Sequence, residues 1–338
     1  MRAVAIYEHG GNEVLRYETA FADPQVKEGD VLVRIRATSI NYHDIFTRRG
    51  MPGIHHPFPW IMGMDFAGEI VAVGPGVPGE WAVGQRVLVN PSGRQSDGNK
   101  PDNGHGGLAE LYRARWHQLV RIPDAVSFEE AACLPVAYGT AARMIRTIGK
   151  VQAGETVYIL GASGGVGVCA VQIAKLLGAT VIAAGSTAEK GKRLLELGAD
   201  HYVNYTEEKI DEAIFKRFGK PQARDRGATG GVDVVINYTG GETWVPSIRA
   251  LKRGGRLLTC GATAGFDPAE DIRHIWTFER QILGSNGWRF DDLDYLFELI
   301  VAGKLKVLVD RVLPLEETAE ALRIVEDREV FGKVVVTP

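Results

Sequence analysis

The sequence predicts an α/β fold in which a doubly wound parallel sheet carries a dinucleotide site and β-rich stretches precede and follow it. Three observations predict this. Residues 156–179, TVYILGASGGVGVCAVQIAKLLGA, pass from an apolar strand through a glycine cluster into a helical pattern. Five more apolar strands follow between helical stretches. Residues 1–125, by contrast, hold short β-branched runs broken by Gly and Pro.

The N-terminal runs are VLVRIRATSI, FAGEIVAVG and QRVLVNP, with turn signals around Gly76–Glu80 between the last two. Residues 91–107 are polar, Gly/Pro-rich and non-periodic, which predicts an exposed loop or lobe. From about Phe128 the pattern becomes α/β. Its strands are TVYIL, TVIAA, HYVNY, VDVVINY, GRLLTCG and QILGSN. The basic segment 216–231 interrupts them and reads as a solvated surface. After the helical stretch 291–302, LVDRVLP and KVVVTP return to β character and are expected to rejoin the first domain. The domain boundaries follow: residues 1–125 with 305–338, and residues 126–304.

The glycine cluster carries the chemistry. Glycines between a buried strand and a helix let the backbone approach a pyrophosphate. The helix start offers that anion unpaired N–H groups and a positive dipole end. Ala162 takes the first position of the G-x-G-x-x-G spacing, with Gly164 and Gly167 at the other two. Gly161, Ala162, Ser163, Gly164, Gly165, Val166 and Gly167 are therefore the expected cradle. The second strand ends Ala184-Gly185-Ser186-Thr187, with no acid to hold the ribose hydroxyls. Ser186, Lys190 and Tyr205 could instead serve a 2′-phosphate, so NADPH is the expected cofactor.

Composition narrows the rest. Basic and acidic residues number 39 and 42, a net charge of −3, so no global field draws nucleic acid or an anionic membrane. No apolar run approaches a membrane span, and no signal-peptide core is visible at the N-terminus. Cys133, Cys169 and Cys260 lie far apart and suit a reducing compartment, so a cytoplasmic location is expected.

Several segments resemble the medium-chain dehydrogenase/reductase superfamily, in particular its zinc-independent quinone oxidoreductase-like and enoyl reductase branch. They are Asn41–Arg48, Gly63–Gly68, Gly106–Glu110, Leu134–Ala141, the glycine loop, Gly254–Arg256 and Phe331–Val335, in family order. The resemblance implies a GroES-like β-rich catalytic domain made of both chain ends, with a Rossmann domain inserted. Zinc members hold the metal with a Cys, a His and a later Cys or acid. Asn41, Met64 and Val136 stand at those positions here, so no metal site is expected. His55, His56 and His105 remain as chance ligands only. The resemblance also places Thr140, the stretch Gly261-Ala262-Thr263, Asn286 and Lys333 near the nicotinamide.

Without a Lewis acid, a hydride acceptor must already be electron-poor. The expected chemistry is reduction of quinones or α,β-unsaturated carbonyl compounds by NADPH. Asn41, Tyr42, His43 and Arg48 are the candidates to hold the carbonyl oxygen or supply a proton. Asp44 and Asp65 read as structural partners. CGATAGFDPAEDIRHIW also resembles crotonyl-CoA-type reductases, which keeps an enoyl-thioester reductase open. A non-enzymatic NADPH-binding redox sensor is the alternative of another class. The apolar strand QILGSN, at the edge of the sheet, suggests a homodimer.

Overall fold

The computed structural model describes residues 1–51, 56–90, 105–223 and 230–338. It divides into two units, residues 1–137 with 293–338 and residues 138–292.

The first unit is organised on β3 (Asp30–Ser39). Val31, Val33 and Ile35 are buried while Arg34 and Arg36 face solvent, the period-two pattern of a half-buried strand. One edge of β3 pairs antiparallel with β5 (Asp65–Val73), which leads to β6 (Arg86–Val89) and β8 (Leu119–Arg121). The other edge takes β7 (Leu111–Arg115) over residues 30–34 and β16 (Lys333–Thr337) over residues 38–39. β16 pairs in parallel with β15 (Val309–Pro314). The C-terminal strands thus do return to the N-terminal sheet. A smaller sheet joins β2 (Leu15–Glu18), β1 (Ala3–Ile6) and β4 (Trp60–Ile61). Ile6, Ile40, Ile45, Leu322 and Val334 share one apolar cluster of this unit.

Helices pack on these sheets. α1 (Tyr42–Arg49) starts directly after β3, and the Asp44 Oδ2 accepts from the Asn41 N–H at 2.8 Å across its first turn. α2 (Phe128–Ala132) packs on β3 and β5, and α10 (Thr318–Glu326) packs on α1. The packing of α2 carries this unit to residue 137 rather than 125. Its other boundary, at 292/293, falls inside α9 (Phe290–Val301) rather than at 304/305.

The second unit contains all six strands read from the sequence: β9 (Thr156–Ile159), β10 (Thr180–Gly185), β11 (His201–Asn204), β12 (Val232–Ile236), β13 (Leu251–Thr259) and β14 (Gln281–Gly284). They are parallel throughout, in the order β11-β10-β9-β12-β13-β14. α4 (Gly165–Leu176), α5 (Ala188–Glu196), α6 (Ile210–Phe218), α7 (Trp244–Ala250) and α8 (Arg273–Trp276) alternate with them. Helices on both faces explain why Val157, Tyr158 and Ile159 are all buried. α3 (Thr140–Ala142) lies between two π-type helical turns, Leu134–Gly139 and Arg143–Ile148. Among the described residues no helix is long and apolar enough to cross a membrane. His55, most of the 91–107 loop and residues 224–229 of the basic segment lie outside the described residues.

Candidate active site

In the second unit, β9 delivers the chain to the glycine loop. Gly161 sits at φ +59°, a left-handed turn that a side chain would strain. Gly164 caps α4 and has no side chain of its own to cover the first N–H groups of the helix. At Gly167 a Cβ would lie 2.5 Å from the Ala162 Cα, so only glycine lets the helix seat against the loop. The Ala162 N–H donates to Ala184 O at 3.0 Å and ties the loop to the end of β10. An uncapped helix start on a glycine turn fits a pyrophosphate.

β10 ends on Gly185, followed by half-buried Ser186 and then Thr187, whose Oγ1 accepts from the Lys190 N–H at 3.2 Å. Tyr205 is half-buried beside this end, and its N–H donates to Gly185 O at 3.1 Å. Ser186, Thr187, the Lys190 backbone and Tyr205 thus lie at the end of one strand. The phenol that holds this turn is one the sequence did not single out: the Tyr202 OH donates to Thr187 O at 2.7 Å.

Two more loops of this unit are bonded to each other. Asn237, fully buried after β12, accepts from the Thr239 and Gly240 N–H groups and donates to Ser247 Oγ at 2.9 Å. The loop after β13 zips onto it, since the Thr263 N–H donates to Tyr238 O at 3.2 Å and the Ala264 N–H to Thr239 O at 2.7 Å. Gly261 is exposed, and Ala262 and Thr263 are half-buried. The Tyr238 hydroxyl donates to Gly161 O at 2.8 Å and supports the glycine turn from below. Thr140 is buried, and Asn286 is exposed after β14.

In the first unit, Asn41, Asp44, Asp65 and Lys333 form a cluster with each side chain at most 5% exposed. The Lys333 Nζ donates to Ile40 O at 2.6 Å and to Asn41 Oδ1. The Asn41 Nδ2 donates to Asp65 Oδ2 at 2.9 Å and to Ser39 O at 3.2 Å. Asp65 also accepts from the Val136 N–H at 3.0 Å. Burial pushes the Asp65 carboxyl up to about 7, although Lys333 and the Asn41 and Val136 donors oppose it. Burial likewise raises Asp44 and lowers the Lys333 ammonium.

These contacts change three assignments. Asn41 has no N–H left for a substrate, because both amide protons and the carbonyl are used inside the cluster. Lys333 donates to Ile40 and Asn41, which reassigns it from cofactor contact to internal cation. Arg48, only 1% exposed, pairs with Glu326 at 2.9 Å and donates to Gly10 O and Asn12 Oδ1. It anchors the end of α1 to α10 and to the 10–12 turn rather than meeting substrate.

A cavity within the same unit is lined by His43, Asp44, Thr47, Trp60, Met64 and His105, among others. The His43 Nδ1 lies 3.4 Å from Thr47 Oγ1. The His105 Nδ1 accepts from the Ile61 N–H at 3.4 Å, which leaves its proton on Nε2, and burial holds its pKa below the ordinary histidine range. Tyr42 is half-buried, packs on the apolar cluster and meets Phe46 edge-to-face at 5.1 Å. Of the four residues first nominated for chemistry, His43 is the one that lines this cavity.

Residues 27–124 match the family described as alcohol dehydrogenase GroES-like domain, and residues 165–302 match zinc-binding dehydrogenase. A crotonyl-CoA reductase of Streptomyces avermitilis is 30% identical over 93% of this chain and 80% of its own length. The chloroplastic NADPH-dependent alkenal/one oxidoreductase of Arabidopsis thaliana is 31% identical over 100% of this chain and 80% of its own. Human quinone oxidoreductase is 29% identical over 99% and 97%. This chain belongs to the medium-chain dehydrogenase/reductase superfamily, in its quinone oxidoreductase-like branch. It is an oxidoreductase. The solved structure of an NAD-dependent alcohol dehydrogenase is similar at TM-score 0.89 and 35% identity, covering 100% of both chains. That of the 2-octenoyl-CoA carboxylase reductase CinF with NADP and 2-octenoyl-CoA is similar at TM-score 0.84 and 27% identity, covering 99% of this chain and 87% of CinF.

A superfamily that includes zinc-binding dehydrogenases raises the question of a metal. The donor set does not fit one. At the three ligand positions stand an amide saturated by Lys333, Asp65 and Ser39, a thioether, and an alkyl residue whose N–H is held by Asp65. Among the described residues no group of three or more His, Cys, Asp or Glu side chains could hold a metal ion.

Proposed function

We propose that the chain is an NADPH-dependent, zinc-free reductase of quinones or other α,β-unsaturated carbonyl compounds. One observation carries this: the zinc-ligand position holds Asn41, and its amide is committed to Lys333, Asp65 and Ser39. With no Lewis acid to polarise a plain ketone or stabilise an alkoxide, the acceptor must be intrinsically electron-poor.

When bound, the reduced nicotinamide supplies the hydride. The chain supplies the rest. The uncapped start of α4 binds the pyrophosphate. Ser186, Lys190 and Tyr205 favour a 2′-phosphate, in keeping with the NADPH named for the Arabidopsis relative and the NADP bound by CinF. In the cavity, the neutral His105 offers an Nε2 proton to a developing oxyanion. His43 supplies the proton that completes the product, with Thr47 Oγ1 orienting its ring. Trp60 and Met64 give that cavity an apolar wall.

A second reading has support from the crotonyl-CoA reductase and CinF relatives: an enoyl thioester could be the acceptor. A panel of 1,4-quinones, alkenals, crotonyl-CoA and primary alcohols, assayed with each nicotinamide, separates the cases. The expected result is turnover of free quinones or enones with NADPH, and a kcat for His43→Gln that falls roughly a hundredfold with KM little changed. A much higher kcat/KM for crotonyl-CoA than for a free enone selects the thioester. Oxidation of simple alcohols without enone or quinone turnover, together with one tightly held zinc per chain, overturns the proposal.

A further inference from the structure

We propose that Lys333 is a positioning residue: its ammonium locks the side-chain amide of Asn41, and through it the first turn of α1 that carries Tyr42 and His43. The inference rests on the reductase reading only for the catalytic consequence; the lock itself is a matter of geometry.

A lysine 3% exposed is expensive to bury, and simple compensation would put its Nζ on a carboxylate. Instead, both hydrogen bonds of the Lys333 Nζ go to neutral oxygens, the Ile40 carbonyl at 2.6 Å and the Asn41 Oδ1. These belong to the two residues that connect β3 to α1. Asp44 and Asp65 are close enough to stabilise the cation through the field, but the hydrogen bonds they accept come from Asn41, Gly63 and Val136.

The consequence falls on Asn41. With Lys333 on its carbonyl oxygen, the amide can present its NH2 only toward Asp65 and Ser39 O, and the alternative flip would set two donors against the ammonium. The Asn41 backbone N–H is meanwhile held by Asp44 Oδ2 at 2.8 Å. Residue 41 is thus pinned on its main chain, on its carbonyl and on both amide protons. Tyr42 and His43 are the next two residues and inherit that fixed start. Lys333 reaches this point because β16 pairs with β3 at Val335–Ser39, which brings the far end of the chain to the helix start.

The test compares Lys333→Met, Lys333→Gln and Lys333→Arg. Hydrogen exchange of the Asn41 side-chain amide is followed by NMR without substrate. Kinetics are followed on whichever hydride acceptor the wild type turns over. Slow Asn41 exchange is expected in the wild type, with fast exchange in Lys333→Met. Its kcat should fall roughly ten- to a hundredfold, the scale of a misplaced catalytic group, while the KM for NADPH stays within about twofold. Lys333→Arg, which keeps a cation and donors, should recover part of both. If Lys333→Met does not fold, Lys333→Gln is read against the same criteria. A folded variant without the cation that keeps Asn41 protected and kcat within about twofold overturns the proposal, even if its melting temperature drops. If wild type reduces no quinone or enone while Lys333 still controls Asn41 exchange, the reductase reading fails and the lock stands.

Discussion

The phenol of Tyr238 donates its hydrogen bond to the carbonyl of Gly161, 2.8 Å away and 77 residues earlier in the chain. This fixes the one left-handed glycine of the loop, and a Cβ at Gly161 would meet the same ring at 3.3 Å. Burial pushes the Tyr238 hydroxyl up from the ordinary phenol range, so it stays a neutral donor at all physiological pH values.

Tyr238→Phe removes that donor and keeps the ring. A net hydrogen bond is worth about 0.5–1.5 kcal/mol, so NADPH affinity is expected to weaken roughly two- to tenfold through a looser glycine turn. Fluorescence titration of the cofactor measures this. An unchanged dissociation constant would show that the turn holds its shape without Tyr238.

Lys190→Ala tests the choice of cofactor. The Thr187 cap uses the Lys190 backbone N–H, which the substitution keeps. Loss of a charged contact to a 2′-phosphate costs about 1.5–3 kcal/mol, or roughly ten- to a hundredfold in affinity for NADPH. NADH, which lacks that phosphate, should bind as before. Equal weakening of both cofactors, measured by calorimetry, would count against a phosphate contact.

Much of the fold was legible because local signals and the final topology agree. Each of the six strands of the parallel sheet is an apolar run between helical stretches, and KVVVTP reads as β whichever sheet receives it. The glycine loop was legible for the same reason, since its geometry is set within a few residues. The site in the first unit was not. Asn41 looks like a substrate donor until Lys333, 292 positions away, is seen to occupy its carbonyl. Arg48 looks catalytic until Glu326, 278 positions away, is seen to take its charge. A sequence shows which groups can donate, but not which partners the fold brings to them. Tyr202 and Tyr238 were missed for a related reason. Both phenols act on backbone carbonyls, which carry no residue-type signature. The run Asn237-Tyr238-Thr239-Gly240-Gly241 after a buried strand was the available signal for the second loop.

We propose a homodimer through β14. It is the last strand of its sheet, and Ile282 on it is 39% exposed. A bare apolar edge is a liability that pairing with the same strand of a second copy removes. Light scattering at micromolar concentration is expected to give twice the chain mass for wild type and a shift toward monomer for Ile282→Lys. A wild-type monomer rules the proposal out.

The final prediction concerns pH. Burial holds the Asp65 carboxyl at about 7 in the folded chain, against about 3.9 for an unfolded aspartate. Between those two values the native state binds the proton that the unfolded state has lost. Stability therefore decreases as pH rises from about 4 to about 7, and this contribution levels off above. The direction is opposite to that of a salt-bridged surface aspartate, because here the charged form is the one that burial penalises. Asp65→Asn cannot ionise, so it lacks this slope. It also loses an acceptor for the Asn41 amide, so it should be less stable than wild type at pH 5 and lose part of that deficit by pH 8. Denaturant midpoints across pH 5–8 measure the difference, and carboxyl NMR of the wild type should place the Asp65 titration near neutrality. A titration midpoint near 4 would mean that Lys333 and the Asn41 and Val136 donors outweigh burial, and the two stability curves would then run parallel.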